Sequence, residues 1–426
     1  MTTSPSHAPS YYAATAVGAS ARPCLAGDRD VDICVIGAGY TGLSAALHLA
    51  QNGRSVAVVE EKRIGWGASG RNGGQLHSGQ RLDQHTLETW LGEAEARALF
   101  DLAEEAKRQV KAAIRDERID CDWHDGLIHA IHRRRLIAPA RREIDHLRTR
   151  YGYDGITWLD HDDLATVIGS ERYLCGWRDA SAGHLHPLNF ALGLARTAEA
   201  AGATIYEGTR AVRIGEQARR VVTTDGGTIR ASDVIVAVNG YGSGLAPRFE
   251  ARIMPMNNYL IATEPLGDRL ATLIPGLEAV ADSRFVVHYW RPSGDGRLIF
   301  GGGETYSTAF PADLARFVRP HLVDVYPGLQ DVRIDYAWGG TLALSMAKMP
   351  VMRRLGPGLY ACGGYTGHGV AIANLAGKLM AEAVLGDTAR FDVFARIPAR
   401  SFPGGRLMRF PLLVLAMFWY GLLDRL

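Results

Sequence analysis

The stretch Val31-Asp32-Ile33-Cys34-Val35-Ile36-Gly37-Ala38-Gly39-Tyr40-Thr41-Gly42 decides the fold. Its first half reads as an apolar strand, and the glycines that follow have the spacing GxGxxG. A helical run from Leu43 to Gln51 stops at Asn52-Gly53, and a second apolar strand, Ser55 to Val59, closes on Glu60 and Glu61. This is a β-α-β unit with an acid about twenty residues beyond the glycines, the fingerprint of a dinucleotide site. Each part has a physical reason. Gly37 allows the tight turn, Gly39 lets backbone approach a pyrophosphate, and Gly42 lets the helix pack near the strand. The helix N-terminus, with Tyr40 and Thr41, offers free N–H groups to the phosphates. Glu60, with Glu61 beside it, can accept hydrogen bonds from ribose hydroxyls. A chance glycine turn between an unrelated strand and helix would leave the second strand and the acid unexplained.

The loop that follows, Gly65-Trp66-Gly67-Ala68-Ser69-Gly70-Arg71-Asn72-Gly73-Gly74-Gln75, favours FAD over NAD. It is long and glycine-dense, with small residues where backbone must lie against a flat ligand and polar ones to bond it. With Ala68, Ser69, Arg71, Asn72, Gly73, Gly74 and Gln75 in this order, the chain resembles the D-amino-acid oxidase/glycine oxidase family of flavoproteins. Within that family it most resembles the γ-glutamylputrescine oxidase subgroup, to whose leader Ser10-Tyr11-Tyr12-Ala13-Ala14-Thr15-Ala16 is similar. The resemblance covers nearly the whole chain and is more specific for fold and cofactor than for substrate.

Composition narrows the remaining classes. At 426 residues two domains are expected. The formal charge of +2 argues against a nucleic-acid partner, and the arginines between Arg133 and Arg150 then read as a solvated helix face. The five scattered cysteines have no metal spacing and read as reduced thiols, which points to a cytoplasmic protein. Residues 1–27 read as an extended surface arm without a signal peptide. At the other end, residues 410–423 are apolar and aromatic but too short to span a bilayer. A helix packed on the protein or in a dimer contact is favoured there, and peripheral contact with the inner membrane is the alternative.

The chain in order alternates between two kinds of pattern. Leu87 to Arg115 has helical periodicity, and Leu127 to Ile131 is a strand set off from Cys121-Asp122-Trp123 by an Asp125-Gly126 turn. Antiparallel signals return at Met254–Thr263, at 285–291 and at 297–300. A second strand–glycine loop–helix runs from Leu359 through Gly363-Gly364-Tyr365-Thr366-Gly367-His368-Gly369. The expected fold is α/β: a Rossmann-like FAD-binding domain of the glutathione-reductase-2/D-amino-acid oxidase type, interleaved with an α+β substrate domain built on an antiparallel sheet. The FAD-binding domain is assigned 28–90, 184–246 and 335–390, the substrate domain 91–183 and 247–334, and the tail 391–426. By resemblance, Val212 lies near the adenine, Asn239 and Gly240 where a strand end meets the cofactor, and Gly364, Thr366, Gly367, His368 and Gly369 at the flavin ring.

The chemistry implied is oxidation of an amine, either an amino acid or a γ-glutamylputrescine-like compound. Hydride passes from the carbon beside the amine to non-covalent FAD, the imine is hydrolysed, and electrons go on to oxygen. An amino-acid dehydrogenase that delivers electrons to a quinone is the alternative, and a flavin-binding subunit or sensor is the non-enzyme alternative. No acid–base dyad is evident and no metal is expected. Tyr259, His288, Tyr289, Trp290 and Arg291 are candidate substrate residues, the rings for an alkylammonium chain and the guanidinium for a carboxylate. Each reads equally well as an ordinary member of a sheet with aromatic cross-strand pairs.

Overall fold

The computed structural model describes residues 6–217, 219–304 and 309–403, with Pro411 and Val414. Strand β1 (Arg29–Ile36) leads into helix α1 (Tyr40–Gln51), and β2 (Val56–Val59) returns parallel to β1. Ile33 to Ile36 and all of β2 are buried. Covered on both faces, these strands read as unbroken apolar runs rather than alternating ones. Helix α1 is buried around nearly its whole circumference, packed against the helices Pro187–Ala200 and α2 (Gly369–Val384) as well as the sheet. Gly377 on α2 permits the crossing, because a Cβ there would lie 2.4 Å from the Thr41 carbonyl oxygen.

Among the described residues the first sheet has eight strands. Its main path runs Val351–Gly356, Leu359–Gly363, Thr228–Val236, β1, β2, Thr204–Tyr206. The four strands from Leu359–Gly363 to β2, together with Thr204–Tyr206, are joined in parallel. The second sheet has nine strands among the described residues, in the order Ile334–Leu344, Met254–Thr263, Leu298–Glu304, Tyr289–Pro292, Ala279–Asp282, His124–Ile131, Cys175–His184, Gln75–Leu76, with Ile156–Leu159 beside Cys175–His184. Its neighbours are antiparallel except for Ala279–Asp282 with His124–Ile131. The molecule is therefore α/β with one mainly parallel and one mainly antiparallel sheet.

Four expectations change. The arm is not an extended surface strand: Tyr11–Ala14 is a short helix capped by Ser10, and Tyr11 and Tyr12 are buried. The Tyr12 ring packs edge-on against Trp338 at 5.1 Å, and the Tyr11 hydroxyl donates to Asp295 at 2.7 Å. The helix expected over 87–115 is two, Gln84–Leu91 and Glu93–Asp116, broken at Gly92 with φ +91°. Asp125-Gly126 is not a turn between strands but a register shift inside the single strand His124–Ile131. Residues 335–344, assigned to the cofactor domain, lie in a strand of the antiparallel sheet, and the chain rejoins the parallel sheet only at Val351. The apolar run 410–423 lies outside the described residues apart from Pro411 and Val414. Among the described residues no helix is long and apolar enough to cross a membrane.

Candidate active site

Two adjoining cavities run along the ends of the parallel strands, one of about 290 Å³ and one of about 1090 Å³. They share Gly39, Ala68, Ser69, Ala237 and Asn239 in their walls, so they form one elongated cleft. Gly37, Glu60 and Glu61 line the small cavity. Tyr40, Thr41, Arg71, Asn72, Gly73, Gln75, Thr366, Gly367, His368 and Gly369 line the large one. Residues expected from two distant stretches of sequence are thus brought to one cleft.

The glycine geometry is explicit. Gly37 has φ +103°, a conformation that favours glycine. A Cβ on Gly42 would lie 1.9 Å from the Gly37 carbonyl oxygen, so α1 starts flush against the turn. A Cβ on Gly39 would lie 2.8 Å from Ser69 Oγ, and one on Gly73 2.5 Å from the Tyr289 ring. The loop over the cleft is fixed by its own side chains. Asn72 Nδ2 donates to the carbonyls of Ala68 and Ser69, both at 3.0 Å, and Asn72 Oδ1 accepts from the Gly74 N–H at 2.7 Å. Arg71 donates to the Gly339 carbonyl at 3.1 Å and to the Tyr241 hydroxyl at 2.8 Å, with its guanidinium over Trp66 at 4.3 Å.

Glu60 accepts from the N–H groups of Ala38 and Lys62 at 2.9 and 2.8 Å. Burial pushes its carboxyl up to about 7. Five expected cofactor residues line neither cavity. Gly42 acts through helix packing, and Gly74 allows the loop to pass Leu185, whose carbonyl would lie 2.1 Å from an added Cβ. Gly364 (φ +75°) turns the chain toward α2, and Gly240 sits under Leu342. The Val212 side chain is exposed, and its neighbour Ala211 is the one that lines the small cavity.

Of the five candidate substrate residues only Tyr289 lines the cleft, its hydroxyl bonded to Asn258 Oδ1. Strand alternation turns His288 and Trp290 to the other face. There Trp290 stacks on Phe300 at 5.7 Å, and His288 Nε2 meets His321 Nδ1 at 3.1 Å. Tyr259 is fully buried against Phe317, at 5.4 Å. Arg291 is also fully buried: its Nε donates to the Gly73 carbonyl at 3.1 Å and its Nη1 lies 3.8 Å from Asp122. It braces the glycine loop from behind and is not a surface for a carboxylate.

The wall that replaces them includes residues no sequence pattern singled out. His129 and Trp177 are cross-strand partners whose rings stack at 4.6 Å. His77 lies 5.6 Å from His129 and stacks on His368 at 4.5 Å with 8° between the planes. Burial pulls His77 down to about 3 and His129 to about 4, and pulls His368 down as well, so all three rings are neutral at neutral pH. Arg81, Arg284 and Lys348 also line this cavity. The N-terminus of α2 opens onto it through Gly367, His368 and Gly369, which places a partial positive charge there.

A flat, elongated dinucleotide needs bare backbone on one side, acceptors for its ribose and helix N-termini for its charge. The cleft supplies all three, so the residues present fit FAD. The architecture is that of solved flavoenzymes of the glycine oxidase type. Glycine oxidase from Geobacillus kaustophilus superimposes with a TM-score of 0.73 over 84% of this chain and 95% of that one, at 20% identity. L-proline dehydrogenase from P. horikoshii gives 0.71 over 84% and 94%, at 19% identity. The chain belongs to the family of FAD dependent oxidoreductases, whose pattern matches residues 32–383. Full-length relatives include a probable oxidoreductase OrdL of Rhizobium meliloti (strain 1021), 41% identical over 98% of this chain and 97% of that protein. A gamma-glutamylputrescine oxidoreductase of Escherichia coli (strain K12) is 39% identical over 99% of each chain.

Proposed function

We propose that this FAD-dependent oxidoreductase oxidises an amine or amino acid at the C–N bond, with a γ-glutamylputrescine-like amine as the leading substrate and oxygen as the acceptor. One observation carries the reading: the large cavity joins the N-terminus of α2 to a wall of neutral rings, His77, His129, Trp177 and Tyr289. Such a wall, with the cations Arg81, Arg284 and Lys348 beside it, favours an amine in its unprotonated form, since uncharged rings and like charges both disfavour the ammonium. The relatedness to the E. coli protein along the whole chain supports the substrate class. When bound, FAD supplies the hydride acceptor. The protein's share is orientation: the loop from Ala68 to Gln75 fixes one face of the cleft, and Tyr289 with Asn258 borders it.

In this reading Gly37 to Gly42 cradle the pyrophosphate, Glu60 holds the ribose, and Thr366 to Gly369 face the ring. The mainly parallel sheet is the cofactor half and the mainly antiparallel sheet the substrate half. Non-covalent attachment is supported by the thiols, since no cysteine of the described residues lines either cavity. Cys362 is buried with its Sγ 3.1 Å from the Tyr365 hydroxyl.

The test is anaerobic mixing of the yellow protein with γ-glutamylputrescine, putrescine, glycine, sarcosine and D-amino acids, following flavin absorbance. Rapid bleaching by one compound supports amine oxidation. A flavin that none of them reduces overturns it. Oxygen consumption against quinone-dye reduction then separates an oxidase from a dehydrogenase.

A further inference from the structure

Outside the cleft, one cluster of ligand-type side chains has no part in the chemistry described so far. His85 and Glu88 stand one turn apart on the helix Gln84–Leu91, and His146 meets them from the helix Ile137–Tyr151. One ligand atom from each, an imidazole nitrogen or a carboxylate oxygen, lies within 4.8 Å of the other two. Spacing along the chain does not reveal the trio, since His146 comes 58 residues after Glu88.

The two helices bring it together. Residues three apart share a helix face, so His85 and Glu88 are presented to one side. One turn before His146, the Glu143 carboxylate accepts from the Gln84 N–H at 2.8 Å and pins the start of the first helix to the second. His146 Nε2 meets Glu88 Oε1 at 2.9 Å, and the rings of His85 and His146 lie edge to face at 5.5 Å. The Tyr151 hydroxyl donates to the same Glu88 oxygen at 2.6 Å, the outer support that ligating carboxylates commonly have. The nearby cation Arg150 is drawn off by Glu93 at 2.8 Å.

Two imidazoles and a carboxylate are the donor set of Zn²⁺ and neighbouring transition metals, whereas Mg²⁺ and Ca²⁺ take oxygen. Bonds of about 2.1 Å put the ligands of a tetrahedral ion about 3.4 Å apart. Glu88 and His146 are already close to that separation. His85 is exposed and its side chain makes no hydrogen bond among the described residues, so its ring can swing in as the third ligand. A plain His146–Glu88 pair would leave His85 without a role.

We propose that His85, Glu88 and His146 bind a divalent transition-metal ion of the zinc class, with water in the fourth position, and that the ion clasps the two helices. The clasp bears on the cleft through the chain that enters each helix: Arg81 precedes the first and Arg135 and Leu136 the second, and all three line the large cavity. The site is independent of the amine-oxidation reading.

The test is calorimetric titration of ZnCl₂ and of MgCl₂ into the untagged, chelator-treated holoenzyme and into His85→Ala and His146→Ala. FAD content confirms that each variant folds. One equivalent of Zn²⁺ and no Mg²⁺ should bind the wild type. Either substitution should weaken Zn²⁺ at least as much as loss of an outer-shell partner does, roughly 10- to 100-fold. Zn²⁺ should also raise the unfolding temperature of the wild type, because it binds the folded chain. No Zn²⁺ binding, wild-type affinity in either variant, or equal uptake of Mg²⁺ overturns the site. Binding that leaves the unfolding temperature unmoved overturns the clasp.

Discussion

Arg291 Nε donates to the carbonyl oxygen of Gly73 across 3.1 Å, joining the antiparallel sheet to the loop that walls the cleft. The arginine is wholly buried, and its remaining contacts are the Pro292 carbonyl, Asp122 and the Tyr12 hydroxyl. Arg291→Met should therefore cost about 1–3 kcal/mol of stability, the range for leaving a buried hydrogen-bond partner such as the Gly73 or Pro292 carbonyl unsatisfied. It should also loosen FAD, because the loop loses its brace. Thermal unfolding and flavin content would show both. A variant with normal stability and FAD content, but a raised half-saturation for substrate, would return Arg291 to the substrate wall.

Gly42→Ala should abolish FAD uptake or the fold itself. The new Cβ would sit 1.9 Å from a backbone oxygen, which cannot move aside as a side-chain end can. Overpacking of this kind costs about 1–3 kcal/mol or more. A yellow, fully loaded Gly42→Ala protein would contradict the packing described.

The neutral imidazoles make stability depend on acid. His77 and His129 titrate at about 3 and 4 in the folded chain, against 6.5 when unfolded. The unfolded state therefore binds protons first as pH falls below 6.5, and stability is lost progressively through the folded values. Unfolding temperature should drop between pH 6.5 and 4, and His129→Phe, which keeps a ring against Trp177, should flatten that drop. An unchanged pH profile in the variant would refute the assignment.

Glu60 has the opposite sign. Its folded value of about 7 lies above the unfolded 4.5. Its contribution is present below pH 4.5 and is lost as pH rises through about 7. Glu60→Gln should thus lessen the loss of stability between pH 5 and 7.5 in the flavin-free protein. Circular dichroism melts across that window would decide it.

What could be read in the residues, and what could not, follows from range. The β-α-β unit is local: strand, turn, helix and acid lie within a short stretch, and the roles read for Gly37 and Gly42 need only neighbours. The substrate wall is not local. Tyr289 faces the cleft while His288 and Trp290 do not, a matter of strand phase that the run of four candidates from His288 to Arg291 does not reveal. His129 opposite Trp177 depends on the register of two strands far apart in the chain. Arg81 looks like one more surface arginine until its surroundings are known. Tyr11 and Tyr12 sit in a polar leader, and their burial is set by Trp338 and Asp295, hundreds of residues away.

The crossing of α1 and α2 at Gly377 has a mechanical consequence. At Gly377 the two helices that begin at the two glycine loops pass close to backbone contact, and Ser44 Oγ ties them there by donating to the Asn374 carbonyl at 2.7 Å. Neither can tilt without carrying the other. Whatever seats itself against the first loop therefore sets the height and pitch of the second, and the two ends of the cleft behave as one clamp with a single hinge point.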